Sequence, residues 1–292
     1  MRAARALAAP LLWCAAFVAA YALLLAVYRP RVEVAPSQWA MNRIKAERYV
    51  FAERAPALVI AGSSLSFRLP EYELGPDIGN LAFGGVGPRT GLEVIRRAGH
   101  KPHTVLVEVN YALGSVDEEL VGAIFMPVLR ELRVAAPVFR YEYQPVNVAF
   151  HMMRVATRRT GQRDERASVE VFEKLLVLHR KELDTLPEPQ VLASMLAGLE
   201  EAIAALEAQG VRAAFLVMPV DPSLADLAVP RAVRARLAAR FPPSRHQWIE
   251  PKGARPFTTG DGLHLVPEDA ARVARQIRAE LERGKAAAAG MR

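Results

Sequence analysis

The chain has almost no cysteine: Cys14 is the only one in 292 residues, so no disulfide can form within it. A lipoprotein acceptor cysteine would follow small residues, whereas Trp13 precedes this one, which reads as helix filler inside an apolar run. The six histidines are not spaced as metal ligands, so neither metal nor cofactor is expected. Basic residues do not alternate with aromatics and no nucleic-acid motif is visible, which excludes nucleic acid as the expected partner. Glycine and proline are scattered, no repeat period appears, and beyond the N-terminal segment there is no second run long enough to cross a membrane.

What is present reads as globular: 52% hydrophobic and 24% charged residues, with a formal net charge of +7. Arg2 and Arg5 precede the apolar run and account for two of those charges, which leaves +5, a mild excess that suits a membrane surface or an acidic polymer. Residues Ala6 to Tyr28 carry no charged side chain. Those 23 residues, at about 1.5 Å each, cross a hydrocarbon core of roughly 30 Å with some tilt. The run exceeds a signal-peptide core and lacks a small-x-small cleavage site, so an uncleaved anchor over residues 1–29 is expected. Arginines flank both ends (Arg2 and Arg5, then Arg29 and Arg31), which leaves the orientation signal balanced. In an Ala/Arg-rich chain of bacterial appearance, the expectation is a single-pass inner-membrane protein whose body faces the periplasm.

Residues 30–55 read as a polar, partly helical juxtamembrane linker, and 56–292 as the soluble domain. Within it, the apolar runs Ala57–Ala61, Ile78–Phe83, Thr104–Val109 and Arg212–Met218 predict buried strands, with Gln247–Ile249 as a short last one. Helices are predicted over 88–99, over 191–208 with Gly210 as the stop, and from Pro267 to about Arg283, where Gly284 would end it. Apolar strands separated by helices make βαβ units, so the expected fold is α/β: three layers, with a doubly wound, mainly parallel sheet. Residues 113–188 break the rhythm and predict a helical insertion; Arg154, Arg158, Arg159, Arg163 and Arg166 cluster there, either as a solvated face or as a surface for an acidic polymer, anionic lipid or partner.

The chemistry-bearing segments, in chain order, are Gly62-Ser63-Ser64-Leu65, Asn80 to Gly85, Val107-Glu108-Val109-Asn110 and Asp261-Gly262-Leu263-His264. A serine hydroxyl is a weak nucleophile and needs a base; an imidazole fixed by a carboxylate three residues earlier supplies one. Taken singly, each segment has a bland alternative: a turn after a strand, an Asx turn, a loop cap, a loop hydrogen bond. Together, Ser64, Gly85 and Asn110 all fall at predicted strand ends, where active residues of parallel sheets gather.

This set resembles the SGNH (GDSL-like) hydrolase superfamily over about residues 57–283. The resemblance implies Ser64 as nucleophile, with Ser63 as fallback, and Asp261 and His264 as its partners. It also implies an oxyanion hole from the Ser64 and Gly85 amides (Gly84 is one residue away) and the Asn110 carboxamide, each donor contributing on the order of 3 kcal/mol. The first block has Ser63 where the family carries Asp, and the third has Glu108 and Tyr111 where it carries Gly and Asp. The anchored architecture is similar to accessory proteins of cell-envelope acylation, of the alginate acetylation and teichoic-acid D-alanylation type. That similarity implies an acyl-serine intermediate, transfer to a polysaccharide or other hydroxyl acceptor, and a multispanning membrane O-acyltransferase as partner. An esterase using water, and a non-catalytic glycan-binding or scaffold subunit, remain open alternatives.

Overall fold

The computed structural model describes the backbone of residues 2–28, 30–157 and 168–290, and side chains over 9–28, 30–157 and 168–283. Arg29 and, of the arginine cluster, Arg158, Arg159, Arg163 and Arg166 lie outside the described residues. The strands are β1 (Leu58–Gly62), β2 (Ile78–Ala82), β3 (Thr104–Glu108), β4 (Arg212–Leu216) and β5 (Gln247–Ile249). The helices are α1 (Arg2–Tyr28), α2 (Gln38–Val50), α3 (Ser64–Phe67), α4 (Glu71–Leu74), α5 (Pro88–Arg97), α6 (Glu118–Phe125) and α7 (Pro127–Ala135). They continue with α8 (Pro145–Ala156), α9 (Val169–Asp184), α10 (Pro189–Glu207), α11 (Pro222–Ala225), α12 (Ala228–Arg240) and α13 (Pro267–Gly290). Two 3₁₀ turns, Pro137–Phe139 and Tyr141–Tyr143, link α7 to α8. The chain forms two compact units, one of residues 1–47 with 123–161 and one of residues 48–122 with 162–292.

The larger unit holds one sheet of five strands in the order β2-β1-β3-β4-β5, every neighbouring pair parallel. The chain steps from β1 to one side and then returns past it to the other, so right-handed crossovers place successive helices on opposite faces. Alternation along the strands divides the core. Leu58, Ile60, Leu106, Ala214 and Leu216 cluster with Leu74 of α4 and with Val273, Ala274 and Ile277 of α13. On the other face α5 lies against β1 and β2, α10 against α5 and β4, and α12 against α10. Close approach there depends on Gly91 of α5: a Cβ at that position would stand 2.6 Å from the Leu81 carbonyl oxygen. Each fully buried Leu or Ile in such a core contributes about 2 kcal/mol.

The predicted strands all form, most ending a residue or two before the apolar run does. Helix α13 is a correction: Gly284 does not end it, and the helix continues to Gly290. An interior glycine costs a helix only about 1 kcal/mol against alanine, and the alanines at 286–289 are the best helix formers.

In the smaller unit α1 is the one helix among the described residues that is long and apolar enough to cross a membrane, over Ala9–Tyr28. The segment expected as a linker contains α2, whose polar Asn42, Lys45 and Glu47 are buried. Glu47 pairs with Arg43 at 3.1 Å and Arg133 at 3.5 Å and accepts the Tyr141 N–H at 2.6 Å. Ile44, Ala40, Val32, Leu25 and Val148 make a small core beside it.

Candidate functional site

Ser64 stands two residues past the end of β1. Gly62 ends the strand, Ser63 caps α3, and Ser64 is the first residue of that single turn. The cap is an extended residue whose hydroxyl accepts the Leu65 N–H at 3.2 Å. The turn is held from beneath by Glu108, the last residue of β3, which is fully buried. Its carboxylate accepts four hydrogen bonds: Ser63 N–H (3.0 Å), Ser63 Oγ–H (2.5 Å), Ser66 N–H (3.1 Å) and Ser66 Oγ–H (2.5 Å). A Cβ at Gly62 would stand 2.6 Å from Glu108 Oε2 and 3.0 Å from Ser66 Oγ, so any larger residue there would have to displace the braced carboxylate. Asn80 of β2 pins the far end of the turn: its amide donates to the Ser66 carbonyl at 2.8 Å, and its oxygen accepts the Ala82 N–H at 3.0 Å.

Asp261 and His264 share a closed loop. An antiparallel bridge joins Thr259 to Leu265, the Gly260 N–H donates to the His264 carbonyl (2.8 Å), and the Asp221 N–H donates to the Gly262 carbonyl (2.8 Å). Gly262 has φ +92, a backbone conformation that favours glycine, and a Cδ of Leu176 of α9 packs 2.6 Å from where its Cβ would be. Asp261 Oδ1 accepts the N–H groups of Leu263 (3.0 Å) and His264 (2.8 Å), and Oδ2 stands 2.7 Å from His264 Nδ1. Burial alone would raise the Asp261 pKa. The His264 ring and the backbone N–H groups outweigh it and hold the carboxyl well below the usual carboxylate range. An ionised Asp261 can only accept, so the imidazole hydrogen belongs on Nδ1, leaving Nε2 as an acceptor.

Across 200 positions of sequence, His264 Nε2 lies 2.8 Å from Ser64 Oγ. Ser63 Oγ is committed inward to Glu108, so Ser64 is the one of the two serines that meets the imidazole. Strand order explains the meeting: β1 and β3 are neighbours whose connections leave for opposite faces, and the crevice at their carboxyl ends receives Ser64. Gly85 sits three residues past Ala82, the register partner of Gly62, exposed and with φ +83. Asn110 is two residues past β3, and its carboxamide is clasped to β4: the nitrogen donates to the Met218 carbonyl (2.9 Å) and the oxygen accepts the Met218 N–H (2.7 Å). One amide N–H of Asn110 is not used by this clasp. Neither Gly85 nor Asn110 is hydrogen-bonded to Ser64 among the described residues.

Asn110 also lines a cleft of about 320 Å³ over the ends of β3, β4 and β5, with Tyr111, Met218, Leu224 and Leu263 as its walls and Arg234 and Lys252 at its rim. Burial, with the charges of Glu182, Glu108 and Asp261, pushes the Tyr111 phenol up, so it stays protonated and able to donate. Sequence reasoning missed Glu108 as a site residue. The signal was there: an acid inside the apolar run Thr104–Val109, opposite a Ser63-x-x-Ser66 pair.

No family model, no curated protein and no solved structure matches this chain. Fold and site therefore describe it as an α/β protein with an all-parallel sheet. A serine, an imidazole and a carboxylate stand in a hydrogen-bonded line at the carboxyl edge of that sheet. Such a line can move a proton off a hydroxyl and store the resulting charge on a braced imidazolium.

Proposed function

We propose that this chain is a membrane-anchored serine acyl-transfer enzyme of SGNH (GDSL-like) type, with its larger unit on the periplasmic side of the inner membrane. The contact that carries the reading is the 2.8 Å approach of Ser64 Oγ to His264 Nε2, with Asp261 behind the ring. In the first half-reaction Ser64 Oγ attacks an acyl carbonyl while its proton passes to His264 Nε2. Asp261 offsets the imidazolium charge. Collapse of the tetrahedral intermediate breaks the bond to the leaving alcohol, which takes the proton from His264 and leaves an acyl-Ser64 ester. In the second half an acceptor hydroxyl, that of a polysaccharide in this reading, gives its proton to His264 and attacks the ester; collapse breaks the bond to Ser64 Oγ, which takes that proton back from His264 and regenerates the line. The backbone N–H groups of Ser64 and Gly85 and the free N–H of the Asn110 carboxamide are the donors proposed for the developing oxyanion. A multispanning membrane acyltransferase is the proposed acyl donor.

A fluorophosphonate probe tests the chemistry on the full chain in detergent. Labelling is expected at Ser64 and is expected to vanish in Ser64→Ala while Ser63→Ala still labels. A folded wild-type chain that takes no label overturns the enzyme reading in favour of a scaffold. The side chains of His264 and Asp261 keep 18% and 25% exposure, so water can reach the line. This favours an esterase as the second reading. Acetate release from a simple ester without transfer to added oligosaccharide would select it.

A further inference from the structure

The smaller unit buries several polar groups beside its small apolar core and leaves many apolar side chains outside. Glu142 is buried and accepts the Val32 N–H at 3.0 Å; Asn147 is buried and donates to the Tyr141 carbonyl at 2.7 Å. Arg133, also buried, donates to the carbonyls of Ala123 and Ile124 and pairs with Glu47. Outward, the same stretch exposes Val128 (73%), Val146 (60%), Val134 (55%), Met153 (54%), Val155 (48%) and Phe139 (44%). So many exposed apolar side chains within one stretch of chain mark a candidate interaction face. Between 126 and 155 the acids are Glu131, paired with Arg130 at 3.2 Å, and the buried Glu142; with Arg133 buried as well, the face carries Arg130, Arg140 and Arg154 against Glu131.

The occupant of that face follows from α1. Among the described side chains of α1, Val18, Tyr21, Ala22 and Leu25 are the covered ones, spaced as one helical stripe. The Tyr21 hydroxyl donates to the Tyr143 carbonyl at 2.9 Å, Leu25 joins the core with Val148, and the Tyr28 hydroxyl meets the Met152 sulfur at 3.1 Å. So the last turns of the apolar run, from Val18 to Tyr28 and about 16 Å long, lie alongside the 3₁₀ turns and α8. The part left over, Ala6 to Phe17, is only about 18 Å long and cannot by itself cross a hydrocarbon core of about 30 Å. If α1 spans, the protein packed on its second half must enter the membrane with it. Leu23, Leu24 and Val27, on the rest of the α1 perimeter, are exposed and face that same surrounding.

We propose that the surface made by α7, the two 3₁₀ turns and α8 inserts into the bilayer that α1 crosses, with residues 126–155 at the boundary between acyl chains and headgroups. The excess of arginine over acid suits anionic headgroups. This rests on the anchor reading of α1, and the test separates the two. In the full chain with Cys14→Ser, single cysteines are placed by Val146→Cys, Met153→Cys, Leu24→Cys and, as a water-facing reference, Ser244→Cys. Each is labelled with nitrobenzoxadiazole in vesicles of phosphatidylcholine and phosphatidylglycerol, with and without a nitroxide on the lipid acyl chain. The expected result is blue-shifted emission and strong nitroxide quenching at 146, 153 and 24, and neither at 244. Quenching at 24 but iodide-accessible, unquenched labels at both 146 and 153 overturns the insertion and leaves the anchor. No quenching at 24 overturns the anchor itself. Labels at 146 and 153 shielded from both iodide and nitroxide overturn the lipid assignment in favour of a protein partner.

Discussion

Glu108 has no cation near it among its bonded partners; two backbone N–H groups and two hydroxyls satisfy it instead. Its role is to hold the Ser63–Ser66 turn so that Ser64 faces outward while its neighbours face in. Glu108→Gln keeps the shape but leaves a buried N–H opposed to an amide N–H. A loss of about 3 kcal/mol in urea unfolding is expected, together with slower fluorophosphonate labelling of whatever folds. Asp261 acts through its charge state. Its folded pKa is lowered, so the stability it contributes is complete above the unfolded carboxylate value of about 4 and is lost only as the pH falls through the lower folded one. Asp261→Asn should therefore lower Tm at neutral pH, and the gap to wild type should close as the pH falls below about 4. A gap that widened on acidification would contradict an ionised Asp261.

At the scale of elements, α5 packs closely on β1, the strand that leads into the Ser64 turn. Gly91→Ala puts a methyl 2.6 Å from the Leu81 carbonyl oxygen, and backbone cannot swing away as a side chain would. A cost of about 2 kcal/mol is expected in the urea midpoint. Gly99→Ala, just beyond α5, meets nothing within 4 Å and should change stability by no more than about 0.5 kcal/mol. Equal effects from the two would mean that α5 does not pack as described. The elements also show where sequence patterns are strong. All five strands were readable, because runs such as Leu58-Val59-Ile60 and Val105-Leu106-Val107 can only be buried on both sides. The end of α13 was misread because one glycine stops a helix only when nothing favourable follows it.

For the whole molecule, the N-terminal helix is part of a folded unit and not merely a tether. Tyr21 and Leu25 complete the core that contains Val32, Ala40, Ile44 and Val148. A chain beginning at Pro30 would lose that cover, at about 2 kcal/mol for Leu25 alone. Faster amide hydrogen exchange is expected in α2 and α8 than in the full-length protein in detergent. Unchanged exchange there would show that α1 adds nothing to the unit.

Local pattern was enough to determine that the chain is α/β, that one apolar helix stands at its N-terminus, and that Ser64, Asp261 and His264 are candidate site residues, because buried strands, apolar runs and an Asp-x-x-His spacing are readable over a few residues. Only the tertiary structure decided that Ser64 rather than Ser63 meets the imidazole, that Glu108 braces the turn, that the Asn110 carboxamide is tied to Met218, and that residues 123–161 pack with the N-terminal segment. Each of these depends on groups tens to hundreds of positions apart, brought together by strand order and helix packing, and no local pattern records which distant partner a side chain will find.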